Sequence, residues 1–130
     1  MFEEVISMNP TLLYTAAAIS GLWGIAHLFA TRGVVAGFGD LSNDNRRIIT
    51  MEWIVEGVAL LSMASFIVVA TTIHPESTVS SAVYAVAIGT LVALAIISLF
   101  TGFKIAFLPF RLCPFIFALS ATLIAIGAWF

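Results

Sequence analysis

Charged residues are scarce in this chain, and their scarcity excludes whole classes of protein. Only 9% of its 130 residues are charged, five Lys or Arg against seven Asp or Glu, while 62% are hydrophobic. A soluble domain usually has about 25% charged residues, and a chain this short buries only about 60–70% of its surface on folding. The composition therefore excludes a soluble globular protein and a disordered chain. A formal charge of −2 also leaves no basic surface for nucleic acid, so an integral membrane protein remains.

Polar interruptions are few, and they separate four apolar stretches of the length that crosses a bilayer, about 20 residues. The predicted spans are about 11–30, 48–73, 81–103 and 112–130. The connections 31–47, 74–80 and 104–111 are too short for a soluble domain. The alternation of apolar and polar residues that a membrane β-barrel requires is missing. We therefore predict an all-α fold, an integral membrane four-helix bundle with short loops that forms a single transmembrane domain over residues 1–130.

Basic residues are missing from the N-terminus and from the middle connection. All five lie in the two connections 31–47 and 104–111, and the positive-inside rule places such loops in the cytoplasm. The prediction is an N-out/C-out orientation in a prokaryotic plasma membrane. This one-sided distribution argues against insertion in two opposite orientations. Glu3 and Glu4 stand where a signal peptide carries basic residues, so the first helix is expected to be retained.

Prolines and capping residues predict where the helices begin and end, because proline is tolerated in the first turn of a helix and Ser, Asn and Asp cap helix N-termini. The region 33–40 is glycine-rich and is expected to be a loop. The predicted markers are Asn9-Pro10 before helix one, Ser42, Asn43 and Asp44 before helix two, Pro75 at its end, Ser80 or Ser81 before helix three, and Pro109 and Pro114 around the start of helix four.

Small residues recur at four-residue spacing on two of the predicted helices. They are Ala16, Ser20 and Gly24 on helix one and Ala85, Gly89 and Ala93 on helix three. Lipid gives helices little hydrophobic reason to associate, so such residues mediate close packing in membranes. They predict either tight contacts within one chain or a dedicated interface in a homo-oligomer.

Three ionisable residues lie inside the predicted spans. Glu52 and Glu56 are four residues apart and so share one face of helix two. Glu52 lies about 7–8 Å and Glu56 about 13–14 Å beyond Arg47 along the helix. His27 is placed near the depth of Glu52 on the preceding, antiparallel helix. Intramembrane acids are functional candidates by default, so these residues are predicted to converge on a ligand-binding or proton-handling site in the cytoplasmic half of the bundle.

Each of these residues also has a purely structural interpretation. Glu52 can reach the interface or pair with one of three cations, Arg46, Arg47 or Lys104. His27 can donate to a backbone carbonyl or to a glutamate. Both interpretations stay open at the level of sequence.

Other polar and aromatic residues are predicted to line the same pocket. Trp23 precedes His27 by one turn, and Trp53 follows Glu52 directly. Thr90, Thr101 and Lys104 are expected on one face of helix three, with Lys104 at the cytoplasmic rim. We therefore expect Trp23, Trp53, Thr101 and Lys104 around the pocket.

The sequence does not predict a metal site or a reactive cysteine. One His and two carboxylates resemble half of a di-metal site, but such sites draw ligands from several helices, and helix four offers none. No Glu-x-x-His pair exists, so no metal site is predicted. His27 and His74 lie near opposite membrane faces, which excludes both as ligands of one haem. Cys113 is the only cysteine. It forms no internal disulfide, and no neighbouring residue is predicted to activate it.

The stretch Trp53–Leu61, with its Glu-Gly pair, resembles the corresponding helix of the DoxX-like membrane families. The segment Gly24–Leu28 is similar to their pattern of glycine, spacer, basic residue and leucine. In these families a Lys is common where His27 stands, and Glu52 is an additional acid. The resemblance implies a short four-helix protein. It also implies kinship with subunits of quinone-linked thiosulfate oxidation.

Taken together, these patterns predict an integral membrane protein that binds a small lipid-like or quinone-like molecule at His27, Glu52 and Glu56. Quinone is a possible cofactor, and an accessory role in a larger membrane complex is one form of this hypothesis. The alternatives are a quinone-linked oxidoreductase or isomerase, a proton-coupled transporter, and a purely structural oligomeric subunit.

Overall fold

The computed structural model describes residues 7–130, and all regular secondary structure within them is helical. Four α-helices are long and apolar enough, by length and composition, to cross a membrane. Their bounds are Pro10–Gly37 (α1), Asn43–Ile73 (α2), Thr78–Phe100 (α3) and Leu108–Trp129 (α4), with a single 3-10 turn at Gly102–Lys104. This confirms the predicted all-helical fold with four spans. Glu3 and Glu4 lie outside the described residues.

Side-chain caps begin the first three helices. The Asn9 side chain accepts a hydrogen bond from the backbone N–H of Leu12 at 3.3 Å, and Ser42 does the same for Asn45 at 3.2 Å, as predicted. The expected cap of α3 is wrong. Ser77 caps this helix, whereas Ser80 lies in its first turn.

Helix α1 continues through the region predicted to be a loop. It runs to Gly37, because Thr31 and then Val35 extend the buried face of the helix at four-residue spacing. The glycines before the true turn need no special backbone conformation. Among the described residues, only Gly39 has a positive φ, 73°, and this is where the chain turns toward α2.

Helix α4 begins four residues earlier than predicted, so Pro109 falls in its first turn and Pro114 lies inside the helix. Helix α3 ends at Phe100, and its C-cap is Thr101. The 3-10 turn that follows carries Lys104 off the helix, so the predicted α3 face including Lys104 is wrong. The physical reason is that a 3-10 turn has a different residue period from an α-helix.

The helices form a ring in which each packs against its neighbours in chain order and α4 closes against α1. Packing is most extensive between α1 and α2 and weakest between α2 and α3. Helices α2 and α3 make their hydrogen bonds to each other near the turn that joins them. There the hydroxyls of Thr71 and Tyr84 lie 3.0 Å apart, and Ser80 donates to the His74 carbonyl at 2.7 Å. The bundle is therefore least closed between α2 and α3, away from that turn.

The two sets of small residues have different positions. Ala16, Ser20 and Gly24 are buried in α1, where Gly24 lies against the backbone of α2 at Gly57. The α3 set, Ala85, Gly89 and Ala93, is exposed. Helix α1 thus uses its small residues inside the bundle, and α3 presents them outward.

Candidate functional site

His27 of α1 and Glu56 of α2 meet inside the bundle. Their closest atoms, His27 Nε2 and Glu56 Oε1, are 3.5 Å apart. The His27 side chain is almost fully buried, while that of Glu56 keeps 40% of its surface exposed. The pair forms where Gly24 and Gly57, one turn or less from these residues, let the two backbones approach closely.

The backbone of α1 fixes the orientation of the imidazole. His27 Nδ1 lies 3.0 Å from the Trp23 carbonyl oxygen, which can only accept a hydrogen bond. Nδ1 therefore carries a proton, and Nε2 faces Glu56. A hydrogen bond between the two side chains requires a proton on Nε2 or on the Glu56 carboxyl group, and their separation of 3.5 Å is long for such a bond.

Aromatic side chains hold the histidine from the other sides. The Trp53 ring stacks on the His27 ring, with centroids 4.7 Å apart and an interplanar angle of 26°. The Trp53 indole Nε1 donates to the His27 carbonyl at 2.7 Å. Trp23 meets His27 edge-on at 6.2 Å, and Phe110 of α4 packs against Trp53 at 5.4 Å. The site thus joins a polar pair to an aromatic frame.

Replacing Trp53 with phenylalanine is expected to lower the free energy of unfolding by about 0.5–1 kcal/mol, the value of one net hydrogen bond. The loss stays at this low end because the Thr31 hydroxyl also donates to the His27 carbonyl, at 2.9 Å. Thermal unfolding in detergent, followed by circular dichroism, measures it. Trp129→Phe is the matched control: Trp129 is partly buried against the core, so this variant loses ring contact without losing a hydrogen bond and should melt above Trp53→Phe. Equal melting of Trp53→Phe and Trp129→Phe would show that this hydrogen bond contributes nothing.

Two cavities share the wall formed by His27, Trp53, Phe110 and Cys113. The first, about 260 Å³, is lined almost entirely by apolar and aromatic side chains from α1, α2 and α4. Its wall includes Trp23, whose indole N–H is buried and has no hydrogen-bond partner among the described residues. We call this space the aromatic cavity.

The second cavity, about 450 Å³, is more polar. The side chains of Glu56, Ser98 and Thr101 line it, together with apolar residues of α3 and α4. It lies between α2 and α3, where the ring of helices is least closed. We call it the carboxylate cavity. His27 lines both cavities and Glu56 lines only the carboxylate cavity, so the pair stands between the more polar space and the apolar one.

The structure brings together some of the predicted site residues and separates others. His27, Glu56, Trp53 and Thr101 line the carboxylate cavity, and Trp23 lines the aromatic cavity. Glu52 lies one turn nearer the start of α2 and is exposed. Within residues 7–130 it makes no ion pair with Arg46, Arg47 or Lys104, and it lines none of the cavities described here. Lys104 is also exposed and lies outside both cavities.

Many residues that line the two cavities were not predicted from the sequence, and three of them lie closest to the proposed chemistry. Phe110 and Cys113 line both cavities, and Ser98 lines the carboxylate cavity. Ser98 had a usable signal, since it lies one turn before Thr101 on α3. Phe110 and Cys113 had none, because their position depends on how far before Pro114 helix α4 begins.

The residues described here do not gather a larger set of metal-binding side chains. No group of three or more His, Cys, Asp or Glu comes together within residues 7–130. The site is a single His–Glu pair in an aromatic frame.

Over residues 7–130, fold and site define an all-helical bundle with four helices long and apolar enough to cross a membrane and a polar pair between two of them. Comparison with protein-family models, with curated proteins and with solved structures finds no match for the chain. The resemblance to DoxX-like families therefore stays a prediction.

Proposed function

We propose that this protein binds a small amphiphile, lipid-like or quinone-like, whose polar head group contacts the His27–Glu56 pair. The observation that carries the proposal is the position of this pair between the carboxylate cavity and the aromatic cavity. Ligand sites are typically apolar, with a few convergent polar groups that fix orientation. In its acid form, the Glu56 carboxyl group can donate a hydrogen bond to a quinone carbonyl in the carboxylate cavity. The Ser98 and Thr101 hydroxyls donate to the Leu94 and Ile97 carbonyls, so toward a ligand they can only accept. A flat ring has aromatic side chains to stack on.

The basic residues support an orientation for this site. The two connections that hold them lie at one end of the bundle, because Gly33 and Gly37 share a cavity with Ile105 and Phe107. By the positive-inside rule this end faces the cytoplasm, with both chain termini on the other side and the plasma membrane of a prokaryote as the setting. In this orientation His27 and Glu56 bind a ligand that lies in the cytoplasmic leaflet of the membrane. An accessory role beside a partner membrane protein is consistent with this position.

Tryptophan fluorescence tests the proposal directly, because quinones quench it and two of the three tryptophans line the site. The background variant Trp129→Phe leaves Trp23 and Trp53 as the only emitters. The protein in lipid nanodiscs is titrated with a benzoquinone bearing a short isoprenoid tail, and quenching is plotted against the quinone-to-lipid ratio. Native mass spectrometry of the purified protein, in parallel, shows whether an amphiphile is already bound.

In this background, Glu56→Leu is expected to raise the apparent Kd at least tenfold, about 1.4 kcal/mol, because the head group loses its hydrogen-bonding partner. Glu52→Leu is the matched control on the same helix and should stay within twofold of the background variant. Equal effects of the two substitutions, or quenching that rises linearly without saturation, would refute a site at Glu56. An empty protein of fixed oligomeric state in native mass spectrometry would favour the structural alternative.

A further inference from the structure

An apolar groove runs along the junction of α2 and α3. It begins beside Glu56 and extends toward the end of the bundle that is opposite the basic connections. It has a volume of about 600 Å³. Its walls are Ala59, Ser62, Met63 and Phe66 of α2, and Val79, Ala82, Val83, Val86, Ala87 and Thr90 of α3. We call it the α2–α3 groove.

The α2–α3 groove lies in line with the carboxylate cavity along both helices, although no residue lines both. On α2, Ala59 of the groove follows Glu56 of the cavity by three residues, which places them on the same face. On α3, Thr90 of the groove precedes Leu94 of the cavity by four residues, again on one face. From Trp53 to Phe66 the cavity and the groove together extend about 20 Å at 1.5 Å per residue, about two thirds of one bilayer core.

The walls of the groove suit a hydrocarbon chain. Apart from two hydroxyls they are apolar. Ser62 donates to the Val58 carbonyl and Thr90 to the Val86 carbonyl, each at 2.9 Å. Both hydroxyl protons are therefore donated within their own helices, and neither hydroxyl has a free proton to donate to a ligand.

We propose that the ligand of the His27–Glu56 site carries one long apolar tail, and that this tail lies in the α2–α3 groove and extends away from the basic end of the bundle. This inference rests on the proposed function, since it assigns the tail of the molecule whose head binds at Glu56. The ligand class is a single-tailed amphiphile with an isoprenoid or alkyl chain. The groove opens beside the head-group cavity, so the molecule enters sideways from the bilayer between α2 and α3.

The test uses benzoquinones with one common head group and tails of zero, one, two or four isoprene units, measured by fluorescence quenching in nanodiscs of the Trp129→Phe background. Ala59→Phe blocks the groove beside the head group, and Ala82→Phe blocks it near its far end. Both positions are exposed, so each variant is expected to fold, and its melting temperature checks this. Ala118→Phe, an exposed position of α4 outside the groove, is the matched control.

Affinity of the background variant is expected to rise with tail length. Ala59→Phe should weaken every tailed quinone at least fivefold and leave the tailless one unchanged, whereas Ala82→Phe should weaken only the longest. Ala118→Phe should change nothing. If Ala59→Phe and Ala82→Phe behave as Ala118→Phe at every length, the tail lies elsewhere, although a head-group site at Glu56 stands.

Two further results would also overturn the inference. Loss of a dimer on Ala82→Phe in native mass spectrometry, with quinone binding unchanged, would show that a second copy of the chain occupies the groove. If Glu56→Leu leaves binding of the tailless quinone unchanged, the proposed function itself fails.

Discussion

Replacing Gly24 with leucine is expected to destroy the packing of α1 on α2 and, with it, the folded bundle. A Cβ atom at Gly24 would lie 2.8 Å from the Gly57 carbonyl oxygen and 3.2 Å from the backbone nitrogen of Leu61. Both neighbours are helix backbone and cannot rotate away as a flexible side chain can. Overpacking of this kind costs about 1–3 kcal/mol even for small additions, and leucine adds three carbons beyond Cβ.

Gly89→Leu is the matched control for this prediction. Gly89 lies in the middle of α3, and a Cβ there would meet nothing within 4 Å. Glycine in a helix interior costs about 1 kcal/mol relative to alanine, so Gly89→Leu should keep or slightly raise the melting temperature. Gly24→Leu should instead yield little monodisperse protein on size-exclusion chromatography in detergent. Equal yields and melting temperatures for the two variants would contradict the close α1–α2 contact.

Much of this architecture could be predicted from the sequence because its causes are local. Hydrophobic runs defined the four helices, and Asn9 and Ser42 marked two helix starts through their own side chains. The errors arose where distant contacts decide the outcome. The region after Thr31 has the composition of a loop, yet Val35 is buried and draws the helix onward to Gly37.

The candidate site, too, could be predicted from the sequence only in part. Helical periodicity alone places Glu52 and Glu56 on one face, and it cannot say which of them points toward α1. The close contact of Gly24 with Gly57 selects Glu56. Phe110 completes the aromatic frame from a helix more than eighty residues along the chain from His27, and no local pattern encodes such a contact.

The His27–Glu56 pair is expected to cost the fold little when both members are replaced together and more when either is replaced alone. In His27→Leu, the Glu56 carboxyl group loses the only charged or imidazole partner it has among the described residues. In Glu56→Leu, the His27 Nε2 atom loses the group that faces it. Interhelical polar contacts in membranes are worth about 1–2 kcal/mol at most, so each single variant should lose about this much of its free energy of unfolding.

The double variant His27→Leu/Glu56→Leu should recover most of that loss, because it leaves neither polar group without its partner. Unfolding of the four proteins in mixed micelles, compared as a double-mutant cycle, measures the coupling. If the two losses simply add, His27 and Glu56 contribute independently and the pair is not coupled. The double variant can also be as stable as the wild type and yet no longer bind the quinone probe. This result would show that the pair is needed for ligand binding and not for folding.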